Sequence, residues 1–167
     1  MNKIFVLPLL LIAMVACSQT QDTNFSKEAL SAKMTNLKGK ELSFKDILEK
    51  YKGKTVVIDV WASWCPDCLK GMPKVIALQK QFPDAVYLFL SYDKADDAWK
   101  KGIERYGVKG ENYHAGTNMK EGPFAKSISL DWIPRYMVVD KNGKIALFRA
   151  IEADDENLIA TLKKLKK

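Results

Sequence analysis

The stretch Thr55-Val56-Val57-Ile58-Asp59-Val60-Trp61 constrains this chain more than any other. It is β-branched and almost wholly apolar, the pattern of a strand buried on both faces. Shortly after it come Cys65-Pro66-Asp67-Cys68, and then Leu69, Met72, Val75, Ile76 and Leu78 at helical spacing. The pattern predicts a helix over about residues 65–82, kinked at Pro73. A buried strand that turns into a helix at a pair of cysteines is therefore the centre around which the rest must be arranged.

The remaining segments alternate in the same way. Apolar alternation around Gly39 predicts a short hairpin over 36–42, and Ser43 is placed to cap a helix from Phe44 to Tyr51. Ala85 to Tyr92 reads as a second buried strand, and Ala95 to Tyr106 as a helix with Trp99, Ile103 and Tyr106 on one stripe. A short strand is expected at 112–115 and a short helix from Met119 to Ser127. Tyr136 to Asp140 is a third strong strand; Asn142-Gly143 marks a tight turn, and Ile145 to Arg149 returns antiparallel. Asp154-Asp155-Glu156 opens a last amphipathic helix with acids in its first turn. Strands alternating with helices and ending in a hairpin imply an α/β fold: a central mixed sheet flanked by helices on both faces.

The N-terminus is different in kind. Lys3 precedes an apolar run, Ile4 to Ala16, interrupted by Pro8 and too short for a comfortable membrane span. Residues 1–16 read as a secretory signal peptide. Its end, Met14-Val15-Ala16-Cys17, resembles the lipobox of bacterial lipoproteins, with Met14 where Leu is usual. That resemblance implies a lipid on Cys17; Ser18 to Ser26, polar with few large apolar residues, reads as a flexible tether, placing the tether over 17–27 and a domain over 28–167. The alternative is ordinary cleavage, with Cys17 a bystander. Acylation of Cys17 would also remove the odd cysteine of three, leaving an even pair in a compartment that permits disulfides.

The formal charge is +7, and loss of Lys3 with the leader leaves about +6. The basic residues are scattered among acids, as in Asp93-Lys94-Ala95-Asp96-Asp97, which argues against nucleic acid as a partner. The densest run, Lys163-Lys164-Leu165-Lys166-Lys167, lies at the end of the last helix, where cations oppose its dipole; contact with an anion or a membrane is the other reading.

Cysteines three apart at a helix start can bring their sulfurs to bonding distance. The unpaired N–H groups there favour the thiolate on Cys65, and the thiolate is the attacking species. Cys65 is the expected nucleophile and Cys68, one turn in, the resolving thiol. Half of a zinc site is disfavoured by ligand supply, since the chain adds only Cys17 and His114. A purely structural disulfide closing so short a loop restrains the unfolded chain little.

Val57 to Cys68, with Trp61-Ala62-Ser63-Trp64-Cys65 at its heart, resembles the active-site strand and loop of thioredoxins, and more closely the exported TlpA/ResA-type branch. Gly39, Gly53-Lys54-Thr55 and an extra segment at about 107–127 share that likeness, which spans about residues 30–165. It implies a thioredoxin fold with an N-terminal extension and an insertion before a cis-proline. Ile133-Pro134 matches that proline, beside which the family's substrate chain pairs, and Trp64 and Pro66 belong to the same docking surface. Asp59 matches the buried acid that moves the proton of the second cysteine. The branch often has a Glu just after the CxxC; Gly71 stands in that region, which leaves Asp59 as the relay. Asp67 between the cysteines would raise the first thiol's pKa.

The resemblance implies a thiol–disulfide oxidoreductase, a reductant fed by a membrane electron donor and acting on cysteines of exported proteins at the periplasmic side of a bacterial envelope. It is expected to be a monomer, with no organic cofactor and no metal. Three other readings share the fold. A copper carrier usually has its cysteines three residues apart with a later His; a thiol peroxidase has a Pro/Thr setting not found around Cys65. A peptide-binding module would not need both thiols.

Overall fold

The computed structural model describes residues 23–166. The chain enters through a short helix α1 (Lys27–Ser31) and a hairpin, β1 (Lys33–Asn36) and β2 (Glu41–Ser43). Next come α2 (Phe44–Lys50), β3 (Val56–Trp61), α3 (Pro66–Gln81), β4 (Val86–Ser91) and α4 (Asp96–Tyr106). The second half is β5 (Glu111–His114), α5 (Pro123–Ser127), β6 (Arg135–Val139), β7 (Ile145–Ala150) and α6 (Glu156–Leu165).

The strands form one mixed sheet in the order β2-β1-β5-β4-β3-β6-β7. β3 runs parallel to β4 and antiparallel to β6, with Val60 opposite Leu90 on one side and Arg135 on the other. All six residues of β3 and all five of β6 are buried, which requires cover on both faces of the sheet. The long apolar run at 55–61 thus becomes an interior strand, between β4 and β6, as its composition demands.

Local chemistry fixes the boundaries. Ser43 caps α2 by accepting from the Asp46 N–H, while Asp46 reaches back to the Ser43 N–H, a reciprocal pair that satisfies two otherwise free donors. Asp155 caps α6 through the N–H groups of Asn157 and Leu158. α3 stays continuous through Pro73. α4 approaches the loop after β3 so closely that a Cβ on Gly102 would lie 2.5 Å from the Ser63 Cβ; only glycine fits this crossing.

Two expectations are corrected. The helix placed from Met119 starts at Pro123, because Gly122 at φ 87° turns the chain and Pro123 takes the first helical position, where its missing N–H costs nothing. The fold also begins before residue 28. Phe25 is buried edge-on to Phe44 at 4.9 Å, Ser26 caps α1, and the Thr23 carbonyl accepts from Ile145. One large aromatic side chain in an otherwise polar stretch is enough to pull the last part of the expected tether onto the core. Cys17 and the leader lie outside the described residues.

Candidate active site

Cys65 is the N-cap of α3 and Pro66 its first helical residue. The cap role normally belongs to Ser, Thr, Asp or Asn; here the sulfur takes it, accepting from the Cys68 N–H at 3.1 Å. The helix start therefore presents its unsatisfied N–H groups and the positive end of its dipole to Sγ. Cys65 and Cys68 are joined as a disulfide with Cα atoms 5.3 Å apart. Both are buried, Cys65 at 4% exposure and Cys68 at 1%. Cys65 is the more exposed residue of the two, in keeping with attack at Cys65.

The loop before α3 is fixed from below. Ser63 donates its N–H to Asp93 at 3.1 Å and its hydroxyl at 2.6 Å, and Ser91 donates its hydroxyl to the same carboxyl at 2.8 Å. Asp93 has no exposed surface. Beside it Trp64 donates its indole N–H to the Tyr92 carbonyl at 3.3 Å, yet leaves half its surface open.

The Ile133–Pro134 peptide bond is cis, and the Ile133 carbonyl lies 3.6 Å from the Cys65 sulfur. The structure thus brings together Cys65, Cys68, Ile133 and Pro134. Pro66 is exposed at the helix start next to them. Arg135, immediately after the proline, holds the loop that presents it. Its side chain is 1% exposed and donates to the carbonyls of Ile128 at 3.1 Å and Ser129 at 3.5 Å, and to Asp131. Asp131 also takes Arg149 at 2.9 Å. Arg135 is not legible from the sequence, since an arginine at the start of a strand is ordinarily a surface residue.

Asp59 occupies the middle of β3 and pairs in register with Tyr136 of β6. It is 3% exposed and neither carboxyl oxygen has a hydrogen-bond partner. Burial pushes its pKa up to about 8; the Tyr136 hydroxyl pulls weakly the other way without closing a bond of ordinary geometry. Tyr136 reaches α3: a Cβ on Gly71 would lie 3.5 Å from its hydroxyl oxygen. Asp59 makes no described contact with either sulfur, and Tyr136 is the polar group between it and the helix that carries Cys68.

A groove of about 470 Å³ runs alongside, walled by Asp67, Lys70, Trp132, Pro134, Tyr136 and Ile151. Trp132 and Ile151 are 61% and 53% exposed. Two of its cations are already matched, Lys70 by Asp67 and Lys74 by Glu152 and Asp154. What it offers a ligand is apolar surface next to a sulfur-bearing helix start and the backbone at the entry to β6. Trp132 escapes the sequence reading; an indole one residue before an Ile-Pro pair is the signal that would have found it.

Among the described residues no three His, Cys, Asp or Glu side chains converge as a metal site would require.

Comparison with known proteins agrees with this geometry. The family model described as Redoxin matches residues 21–164. A thiol-disulfide oxidoreductase ResA from Bacillus cereus (strain ATCC 10987 / NRS 248) is 29% identical over 150 residues, covering 89% of this chain and 82% of that protein. Among solved structures, a thiol-disulfide oxidoreductase from Bacteroides fragilis NCTC 9343 superposes with TM-score 0.68 at 25% identity, covering 83% of this chain and 99% of that one. The thioredoxin domain of a thiol-disulfide oxidoreductase from Bacteroides vulgatus does so with TM-score 0.66 at 24% identity, covering 84% and 96%, and bears on the fold alone. With its thioredoxin fold, its CxxC pair at a helix start and a cis-proline facing them, this chain belongs to the Redoxin family.

Proposed function

We propose that the protein is an exported, lipid-anchored dithiol reductant that opens disulfides of envelope proteins. Exchange of thiols and disulfides through Cys65 and Cys68 is the chemistry its family and its geometry share. The observation that carries the reading is the Cys65 sulfur held at the N-terminus of α3 and facing the Ile133 carbonyl of the cis peptide.

In the reduced protein the Cys65 thiolate, favoured by the helix N–H groups, attacks one sulfur of a client disulfide. A mixed disulfide forms and the client's other sulfur leaves as a thiolate, which takes a proton. Cys68 then loses its proton and attacks the Cys65 sulfur, expelling the client's second thiol. Two electrons have passed to the client, and the protein is left in the disulfide form described above. A reductant from the membrane must restore the dithiol. Asp59, whose pKa burial pushes up to about 8, holds its proton in the resting protein and, once ionised, is suited to take the proton that Cys68 loses. Trp64, Pro66, Ile133, Pro134 and Trp132 form the surface on which the client chain lies.

The test is the reduction potential of the Cys65–Cys68 couple together with turnover of a model protein disulfide. A potential near that of thioredoxin, around −270 mV, supports a reductant. A value near −120 mV marks an oxidant and reverses the direction of flow. Cys68→Ser should accumulate mixed disulfides through Cys65, and Cys65→Ser should form none; trapping through the wrong cysteine sinks the assignment of roles. Copper binding in place of turnover would favour the metal-carrier reading.

A further inference from the structure

The sheet has two edges of opposite charge. At the edge where β3, β4 and β5 end and β6 begins, the connections 62–65, 92–95, 115–122, 128–134 and 151–155 hold six acids and two bases. This is the edge of Cys65. At the other edge, the connections 51–55, 82–85, 107–110 and 140–144, with Lys166 after α6, hold six bases and two acids, Asp84 and Asp140. The β1–β2 turn points the same way and adds Lys38 and Lys40.

Lys54, Lys141, Lys144 and Lys166 are exposed, and none has an ion-pair partner among the described residues. Three of them, Lys54, Lys141 and Lys166, surround a pocket of about 280 Å³ floored by Phe82, Leu162 and Leu165, with Asp84 as the one acid in its lining. The chain upstream of the fold leaves from this edge as well, because Thr23 is bonded to Ile145 at the start of β7. Six residues, 18 to 23, follow Cys17 up to and including Thr23, a reach of at most about 20 Å when fully extended.

We propose that this basic edge is a docking face for an anionic phospholipid bilayer, which leaves the Cys65–Cys68 disulfide pointing away from the membrane. The unpaired lysines meet lipid phosphates, and the apolar floor between them admits the top of an acyl chain. The acidic edge, repelled by the same surface, is held outward. The inference rests on the anchored reading for the side on which the bilayer lies; the surface itself stands on charge and on the exit of the chain at Thr23. An anchor fixed at one pole would otherwise let the domain tumble, and the charge asymmetry selects the orientation in which a large client can reach the groove.

The experiment uses a chain starting at residue 18, since every described strand and helix lies within 23–166. Vesicles of phosphatidylglycerol with phosphatidylcholine should bind it at low salt and release it at high salt, and vesicles of phosphatidylcholine alone should not. Lys54→Glu/Lys141→Glu/Lys166→Glu should weaken binding by about tenfold or more, whereas Lys70→Glu/Lys94→Glu at the other edge should change it less than about twofold. Orientation is read from native tryptophans: Trp64 and Trp132 are exposed at the Cys65 edge, Trp61 and Trp99 buried. In the bound state brominated lipids should leave the emission unquenched, and acrylamide should quench as in free protein. No binding to anionic vesicles, binding that survives the triple reversal, or quenching by brominated lipid overturns the proposal. Reductase turnover of the same unanchored chain in solution is scored separately: its absence refutes the exchange reading and leaves the docking face standing.

Discussion

Two acids are buried near the CxxC pair, and they differ in everything except burial. Asp93 accepts from the Ser63 N–H, the Ser63 hydroxyl and the Ser91 hydroxyl. Asp59 accepts from nothing. A buried carboxyl costs several kcal/mol unless its lone pairs are met. At Asp93 that cost is offset by bonds that tie β4 to the loop before Cys65, so the acid is a fastener. At Asp59 it is left standing, and the group responds by holding its proton. A fold keeps such an orphan where the proton itself is useful, and the two positions should therefore answer mutation with opposite signs.

The largest effect is expected at Asp59. Its folded pKa of about 8 lies above the ordinary value of 3.8, so the folded protein binds one more proton than the unfolded chain between those two limits. Stability from this group is fully present below pH 4, falls as pH rises, and levels off above pH 8. At pH 7 the shift corresponds to about 4 kcal/mol. Asp59→Asn in the disulfide form should be more stable than the parent by roughly 3–4 kcal/mol at pH 7, and by nothing at pH 4. Urea unfolding at both pH values checks it; an equal gain at the two would mean that packing, not titration, separates the variants. The reductase turnover of the same variant should drop, since an amide can neither hold nor take up the proton that the carboxyl exchanges. Asp93→Ala should do the reverse: a loss of about 3 kcal/mol at pH 7, because three donors lose their acceptor inside the protein.

A steric change at the same fastener gives the next effect. Gly102→Ala puts a methyl group 2.5 Å from the Ser63 Cβ, and α4 or the active-site loop must shift. Overpacking of this kind costs about 1–3 kcal/mol. Because Ser63 is the residue bonded to Asp93, the Gly102 and Asp93 substitutions should be non-additive in a double-mutant cycle. Simple addition would show that α4 moves and the loop does not.

The contrast between the two acids also marks how far the sequence can be read. β3, the CxxC helix start and the Ile133-Pro134 position are legible, because each rests on local pattern: a β-branched run, a spacing of cysteines, an X-Pro pair. Asp59 is visible as an acid inside an apolar strand. Asp93 reads as one of several surface acids in 93–97, since its partners Ser63 and Ser91 come from other segments. Arg135, Trp132 and the close crossing at Gly102 are hidden for the same reason. Phe25 escapes notice because its partners, Phe44 and Phe124, lie far along the chain. Local propensity does not report which distant segments share a core.

The smallest predicted effect isolates the environment of the orphan acid. Tyr136 stands opposite Asp59 across β3 and β6, and its own pKa is pushed upward, first by burial and then by the charge of Asp59. It stays a neutral O–H over the working pH range, able to favour an ionised Asp59 but not to lose its proton to it. Tyr136→Phe removes that one favourable dipole and leaves the burial that dominates the shift. The titration of Asp59 should therefore move further up, by about half a unit, with the ring packing and the sheet register unchanged. Carboxyl-carbon chemical shifts of Asp59 followed from pH 5 to pH 10 give the answer directly. A downward movement would show that loss of the hydroxyl admits water to the site, and that the tyrosine is the seal that keeps this acid dry rather than the dipole that eases its ionisation.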